Sequence, residues 1–228
     1  NCDWSSDVCS SDLGIGVGPG DPELMTLKGA RILSETAVVA YPAPDNGDSL
    51  ARAIAAPHLR AEAMEIAIRI PMSGDRFPIE AVYDRAAAAI GEHLSEGRDV
   101  AILCEGDPFF YGSFMYLFGR MAPQYDVTIV PGISSLMAAA AALESPLASR
   151  NDLLTVVPAP LEEADLTEAI AAADSVAIIK VGRHLAKVRR VLDTLQRLDT
   201  AQFVAYATMA DQTVKPLTEI TDDRAPYF

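Results

Sequence analysis

The chain has 228 residues, half of them apolar, and carries a formal net charge of −14. That length holds one large domain or two small ones with ample core, and the acidic balance argues against nonspecific binding to nucleic acid or to an anionic membrane. No run approaches the ~18 uncharged apolar residues of a membrane span. Cys2, Cys9 and Cys104 form no CxxC or Cys/His cluster and so support neither zinc nor a disulfide framework. The expectation is a soluble, cytoplasmic protein without a metal.

In chain order, residues 1–13 are polar and acidic, lack the basic and apolar regions of a signal peptide, and resemble translated adapter sequence. They read as a foreign or disordered tail. A strand is expected at 14–18, followed by the turn Gly16-Val17-Gly18-Pro19-Gly20-Asp21-Pro22. Asp21 is placed there as an N-cap and Pro22 as the first residue of a helix running to about 35. The turn is not a dinucleotide fingerprint: reading G-x-G-x-x-G from Gly14 puts Pro19 at the last glycine, and reading it from Gly16 puts Asp21 there. Further strands are expected at 37–41, 63–68, 100–104 and 127–130, with helices at 50–55 and 79–96 and a loop at 71–78. These strands are apolar on both faces, as buried parallel strands are. The second half offers strands at 153–157, 176–181, 202–207 and, more weakly, 214–220. Its clearest helix is 185–198, with Leu185, Val188, Leu192 and Leu195 on one stripe. Short apolar runs alternating with helical patterns make an α/β chain. The domain boundary is placed just after Val130, giving domains at 14–132 and 133–228.

Two more loops echo the first. Glu105-Gly106-Asp107-Pro108-Phe109-Phe110-Tyr111-Gly112-Ser113 follows the strand at 100–104, and Pro131-Gly132-Ile133-Ser134-Ser135 follows the strand at 127–130 and opens an Ala-rich helix. In an open parallel sheet the carboxyl-end loops share one rim, and that rim is the usual ligand crevice. One such loop is ordinarily only a turn; three in succession point to a site. Asp21 and Asp107 also read as plain helix N-caps.

The stretches GVGPGDPELMTLK, CEGDPFFYGS, VPGISS and Lys180-Val181-Gly182-Arg183 together resemble the tetrapyrrole methylase family, S-adenosylmethionine-dependent enzymes acting mainly on porphyrinoid rings. The resemblance runs from Gly14 to Phe228. Ala55-Ala56-Pro57-His58-Leu59, LCEGDPFFYGSFMYL and Tyr206-Ala207-Thr208-Met209-Ala210-Asp211-Gln212 are similar to the branch that methylates C20 of precorrin-2 or cobalt-precorrin-2 in cobalamin biosynthesis. Pro42, where uroporphyrinogen methylases tend to carry an aspartate, argues against that relative.

The resemblance implies two α/β domains of the class III methyltransferase kind. The first has a parallel sheet and the second a mixed sheet, with the cofactor in the cleft between them and the chain in a homodimer. It implies that Gly18, Pro19, Gly20, Glu105, Gly106, Asp107, Ser134, Ser135, Val181 and Ala207 bind the cofactor. The tetrapyrrole's carboxylates would meet a local basic lip drawn from Arg69, Arg76, Lys180 and Arg183, with Asp21 also facing substrate. Relatives continue past Pro226-Tyr227-Phe228 through an aliphatic strand, so the second domain is expected to lack its last strand. No general base is assigned: His93, in a polar helix, reads as a solvated surface residue, His184 beside Arg183 reads as a contact to substrate carboxylates or, more simply, as a helix start, and His58 is similarly ambiguous. The alternatives are a methylase of another corrin precursor and a non-catalytic nucleotide-binding α/β module.

Overall fold

The computed structural model describes residues 11–71 and 79–226, and the chain divides into two units, before and after the junction of Ser134 with Ser135. The first unit is wound around β1 (Ser11–Gly16), β2 (Val38–Pro44), β3 (Met64–Ile70), β4 (Val100–Cys104) and β5 (Asp126–Val130). All of these strands are parallel, in the order β3-β2-β4-β1-β5. Because successive side chains point to opposite faces, β4 splits its apolar run between two cores. Val100, Ile102 and Cys104 pack with α3 (Ile79–Ser95) and α4 (Phe114–Met121). Ala101 and Leu103 pack with α1 (Leu27–Glu35) and α2 (Leu50–Ala55). Pro42 and Pro44 are tolerated in β2 because its ladder with β4 extends only over Val38, Val39 and Ala40.

Two local boundaries differ from the sequence expectation. The expected helix from 22 to 35 divides in two because it holds two competing caps. Asp21 accepts from Glu23 N–H and starts a single 3₁₀ turn at Pro22–Leu24, whereas Thr26 accepts from Gly29 N–H and starts α1. The first strand starts at Ser11 rather than Gly14, so Ser11, Asp12 and Leu13, assigned from sequence to the tail, belong to an interior strand flanked by β4 and β5. The ladder is made by backbone groups, and Asp12 is in register with Val100 on one side and Val127 on the other. Leu13 and Ile15 face the α1/α2 core. Asp12 and Gly14 face the other way, and the Phe114 ring fills the space that a side chain on Gly14 would need.

The second unit contains α5 (Ser135–Ala142), β6 (Leu154–Pro158), α6 (Glu163–Ala171), β7 (Ser175–Ile179), α7 (Leu185–Thr194), β8 (Gln202–Ala205) and β9 (Thr213–Pro216). Both pairings of a mixed sheet occur, in separate ladders: β6 with β7 parallel and β8 with β9 antiparallel. Leu166 and Ile170 of α6 and Leu185, Val188, Val191 and Leu192 of α7 form its core with Val157 and Leu217. The α7 stripe is as expected, but the helix stops at Thr194 because Gln196 turns left-handed at φ +55°. The expected weak strand at 214–220 ends in a 3₁₀ turn at Leu217–Glu219.

Asp12 is fully buried, and neither carboxylate oxygen has a hydrogen-bond partner. Burial raises its pKa from 3.8 to about 7. The folded state therefore holds a proton that the unfolded chain has released, and stability falls as pH rises from about 4 to about 7. The loss across that window is on the order of 4 kcal/mol. Asp12→Val should be more stable than the parent at pH 8 by roughly that amount and should lack this slope. Denaturant unfolding of both proteins across pH 4–8 checks it, and parallel stability curves would contradict it.

Candidate functional site

β4, β1 and β5 are neighbours, and each runs at its carboxyl end into one of the glycine-bearing loops at 17–21, 105–108 and 131–134. The first two are joined by backbone. Val17 N–H donates to the Cys104 carbonyl at 2.9 Å, and Gly18 and Gly106 exchange both bonds, at 2.8 and 3.3 Å. The pairing of β1 with β4 thus continues past the strands as an antiparallel bridge. This reversal needs left-handed backbone, φ +85° at Gly18 and +65° at Gly106, which glycine adopts without steric cost.

The third loop is held by contact and by one side chain. A Cβ on Gly132 would lie 2.0 Å from the Gly106 oxygen and 2.8 Å from the Gly16 Cα, so the three loops pack backbone against backbone. Asp107 Oδ1 accepts from Phe109 N–H at 2.9 Å, and Oδ2 accepts from Gly132 N–H at 3.0 Å. Gly106 is packed less tightly: an added Cβ would sit in ordinary van der Waals contact with Ile133 O and Ser134 Cα, at 3.8 Å. Pro19 and Gly20, which follow Gly18 in the chain, are half-buried. The Asp21 carboxylate receives Glu23 N–H at 2.8 Å, and His58 Nε2 lies 3.1 Å from the Pro22 carbonyl, an arrangement that selects the Nε2–H tautomer and braces the turn.

The electrostatics of the rim argue against a nucleophile there. Burial, reinforced by the Glu105 and Asp107 carboxylates, pushes the Cys104 thiol up to about 12, so it stays protonated and inert. Burial also raises the Glu105 carboxyl, against the opposing pull of its own N–H and that of Ala51.

Ser135, Val181, Ala207, Lys180 and Arg183 lie in the second unit. Val181 packs partly against that unit's core, and its carbonyl receives His184 N–H at 2.7 Å, closing the turn Gly182–His184. Lys180 is left-handed at φ +56° and exposed, as is the Arg183 side chain. Burial, then Lys187 and Arg183, lower the His184 pKa and keep the ring neutral near pH 7. Ala207 sits between Tyr206 at φ +52° and Thr208 at φ +70°, in a turn closed by Met209 N–H on the Tyr206 carbonyl. Non-glycine residues in this region cost on the order of 1–3 kcal/mol each and cluster at functional sites. β7 and β8 therefore both exit into strained loops, each next to a residue singled out from sequence.

Arg69 Nη1 donates to the carbonyls of Pro44 and Gly47, at 2.8 and 2.9 Å, so it braces the loop after β2 rather than forming a basic lip. Arg76 lies outside the described residues. Sequence reasoning missed Gly16 and Gly132 as packing residues; the available signal was that Gly16 ends a buried strand run and Gly132 follows one after a single residue. Among the described residues no cluster of His, Cys, Asp or Glu is arranged to hold a metal, and no helix is long and apolar enough to cross a membrane.

The family profile for Tetrapyrrole (Corrin/Porphyrin) Methylases matches residues 13–221. The chain is 40% identical over 223 residues to the cobalamin biosynthesis protein CobIJ of Mycobacterium tuberculosis, covering 94% of this chain but only 44% of that protein. It spans less than half the length of that relative. It is 37% identical over 224 residues to the precorrin-2 C(20)-methyltransferase of Sinorhizobium sp, covering 95% of this chain and 91% of that enzyme. The cobalt-precorrin-2 C(20)-methyltransferase of Salmonella typhimurium is 32% identical over 217 residues, with 94% and 92% covered. Among solved structures, the cobalt precorrin-4 methyltransferase CbiF superposes with a TM-score of 0.71 at 25% identity, over 92% of this chain and 86% of that one. A uroporphyrin-III C-methyltransferase from Thermus thermophilus complexed with S-adenosylhomocysteine gives a TM-score of 0.65 at 22% identity, over 92% and 84%.

The close packing of the rim is testable without any ligand. Gly132→Ala must push the loops apart and should destabilise the first unit by about 1–3 kcal/mol. Gly119→Ala, whose Cβ meets nothing within 4 Å in the exposed interior of α4, should instead gain about 0.5–1 kcal/mol. Urea unfolding of both variants checks the opposite signs; equal effects would contradict the geometry.

Proposed function

The chain belongs to the tetrapyrrole methylase family, and on that premise we propose that it transfers a methyl group from S-adenosylmethionine to a ring carbon of a corrin precursor. The position proposed is C20 of precorrin-2 or of cobalt-precorrin-2, a reading supported by the relatives that carry that activity in their names at 37% and 32% identity over nearly their whole length. The observation that supports a cofactor site in this chain is the locked glycine rim, three strand-end loops held together by exchanged Gly18–Gly106 bonds and by backbone that a single Cβ at Gly132 would displace.

The sulfonium supplies an already activated methyl group, and the electron-rich ring carbon supplies the bonding pair. The chain's contribution is then to hold carbon, methyl and sulfur in line and to keep water out. In this reading Gly18, Pro19 and Gly20, with Glu105, Gly106 and Asp107, present backbone to the cofactor, and Ser134 and Ser135 add donors. Val181 and Ala207 take its adenine end. Lys180 and Arg183, with Arg76, meet the substrate's carboxylates, and Asp21 shapes the adjoining turn as its cap. The reading includes a homodimer, which the family resemblance implies.

Calorimetric titration with S-adenosylhomocysteine, ATP and NAD in parallel tests the cofactor, and mass spectrometry of precorrin-2 incubated with S-adenosylmethionine tests the transfer. Selective binding of S-adenosylhomocysteine and gain of one methyl group are expected. Binding of ATP or NAD instead would favour a nucleotide-binding module. Arg183→Ala should raise KM for the tetrapyrrole by no more than about fivefold, since an exposed charge contributes up to about 1 kcal/mol, and should leave cofactor affinity unchanged. A fall in cofactor affinity would place Arg183 elsewhere in the mechanism.

A further inference from the structure

We infer that Asp107 is a positioning residue, whose carboxylate ties the loop after β4 to the loop after β5 and so sets the shape of the rim before any ligand arrives. The inference rests on the reading that these loops receive S-adenosylmethionine. β4 and β5 are not neighbours; β1 lies between them, so no ladder bond joins their ends. The backbone bridge at Gly18 and Gly106 secures the β1 and β4 loops to each other but does not reach the third loop. Gly132 touches the Gly106 oxygen closely, yet that contact supplies no hydrogen bond to its N–H. Pro131 has no N–H to offer, so Gly132 carries the first donor beyond β5.

One side chain meets that donor from across the sheet edge. Asp107 gives Oδ2 to Gly132 N–H and Oδ1 to Phe109 N–H, so each oxygen faces a backbone donor 25 or 2 residues away. The geometry demands two acceptors at once. An asparagine offers one acceptor and turns an NH₂ group on the other N–H, so the isosteric substitution should break one of the two ties. A side chain in direct contact with the cofactor and a side chain acting through Gly132 then predict different behaviour in the free protein.

Hydrogen exchange on the ligand-free chain distinguishes them, read beside S-adenosylhomocysteine affinity for the parent, Asp107→Asn and Asp107→Ala. The expected result is exchange faster by tenfold or more at both Phe109 and 132–134 in Asp107→Ala and at one of the two in Asp107→Asn, with protection of Val100–Cys104 unchanged in each. Affinity should fall at least tenfold in Asp107→Ala and by a smaller factor in Asp107→Asn, which keeps one tie. Lost affinity with unchanged exchange would mean direct contact and overturn the proposal. Unchanged exchange and affinity would mean an idle carboxylate and overturn it equally. Protection lost throughout β4, or a variant that does not fold, would mean a role in the whole unit rather than in the rim. If the parent itself binds no S-adenosylhomocysteine, the exchange result still decides the tie, while the proposed function fails on its own.

Discussion

The meeting of Gly16, Gly106 and Gly132 at the carboxyl edge of the first sheet is the constraint on which the remaining site geometry depends. Backbone atoms from three separate strand ends approach so closely that a Cβ on Gly132 would come within 2.0 Å of the Gly106 oxygen. Such packing leaves no room for side chains as spacers, so the loops are placed by backbone bonds and by Asp107. It also makes the rim stiff. A surface built from exchanged Gly18–Gly106 bonds and a two-pronged carboxylate has little freedom to reorganise on binding, and pre-ordered loops spare a ligand the entropic cost of ordering them. That suits methyl transfer, in which the donor is already activated and alignment is the main requirement.

The second unit reaches a comparable end by other means. Its loops after β7 and β8 use Lys180, Tyr206 and Thr208 in left-handed backbone where glycine would be free of strain. The small core of Val157, Leu166, Ile170, Leu185, Val188, Val191, Leu192 and Leu217 must hold that strain. Asp12 adds a separate cost in the first unit, a buried acid in an interior strand with no hydrogen-bond partner. Both costs lie in the backbone or the core, so neither depends on the chain's overall acidity.

Much of the fold was legible because parallel strands are buried on both faces and read as plain apolar runs; β4 matched its expected limits residue for residue. Helices α4 and α6 were not anticipated. The first hides in an aromatic-rich segment that continues a loop motif, and the second presents a short, acid- and Ala-rich pattern. Competing caps were a further blind spot: the sequence reading placed a cap at Asp21 alone, and the three-dimensional turn shows that Thr26 caps a second start. At the rim, Gly18, Gly106 and Asp107 were visible as motif residues, but their work was not. The bond from Asp107 to Gly132 spans 25 residues and an intervening strand, and the role of Gly16 is to leave room, which a sequence records only as a missing side chain. Arg69 had the charge for substrate contact, yet two carbonyls from its own surroundings take it first.

The central claim is that the three loops act as one preformed receptor for the methyl donor. Hydrogen exchange of the intact parent chain with and without saturating S-adenosylhomocysteine tests it most directly. The account predicts that amides at 17–21, 105–109 and 131–134 gain protection together. Protection confined to a single loop, or appearing instead along the groove between α3 and α4 lined by Asp84, Gly91, Arg120 and Tyr125, would contradict it.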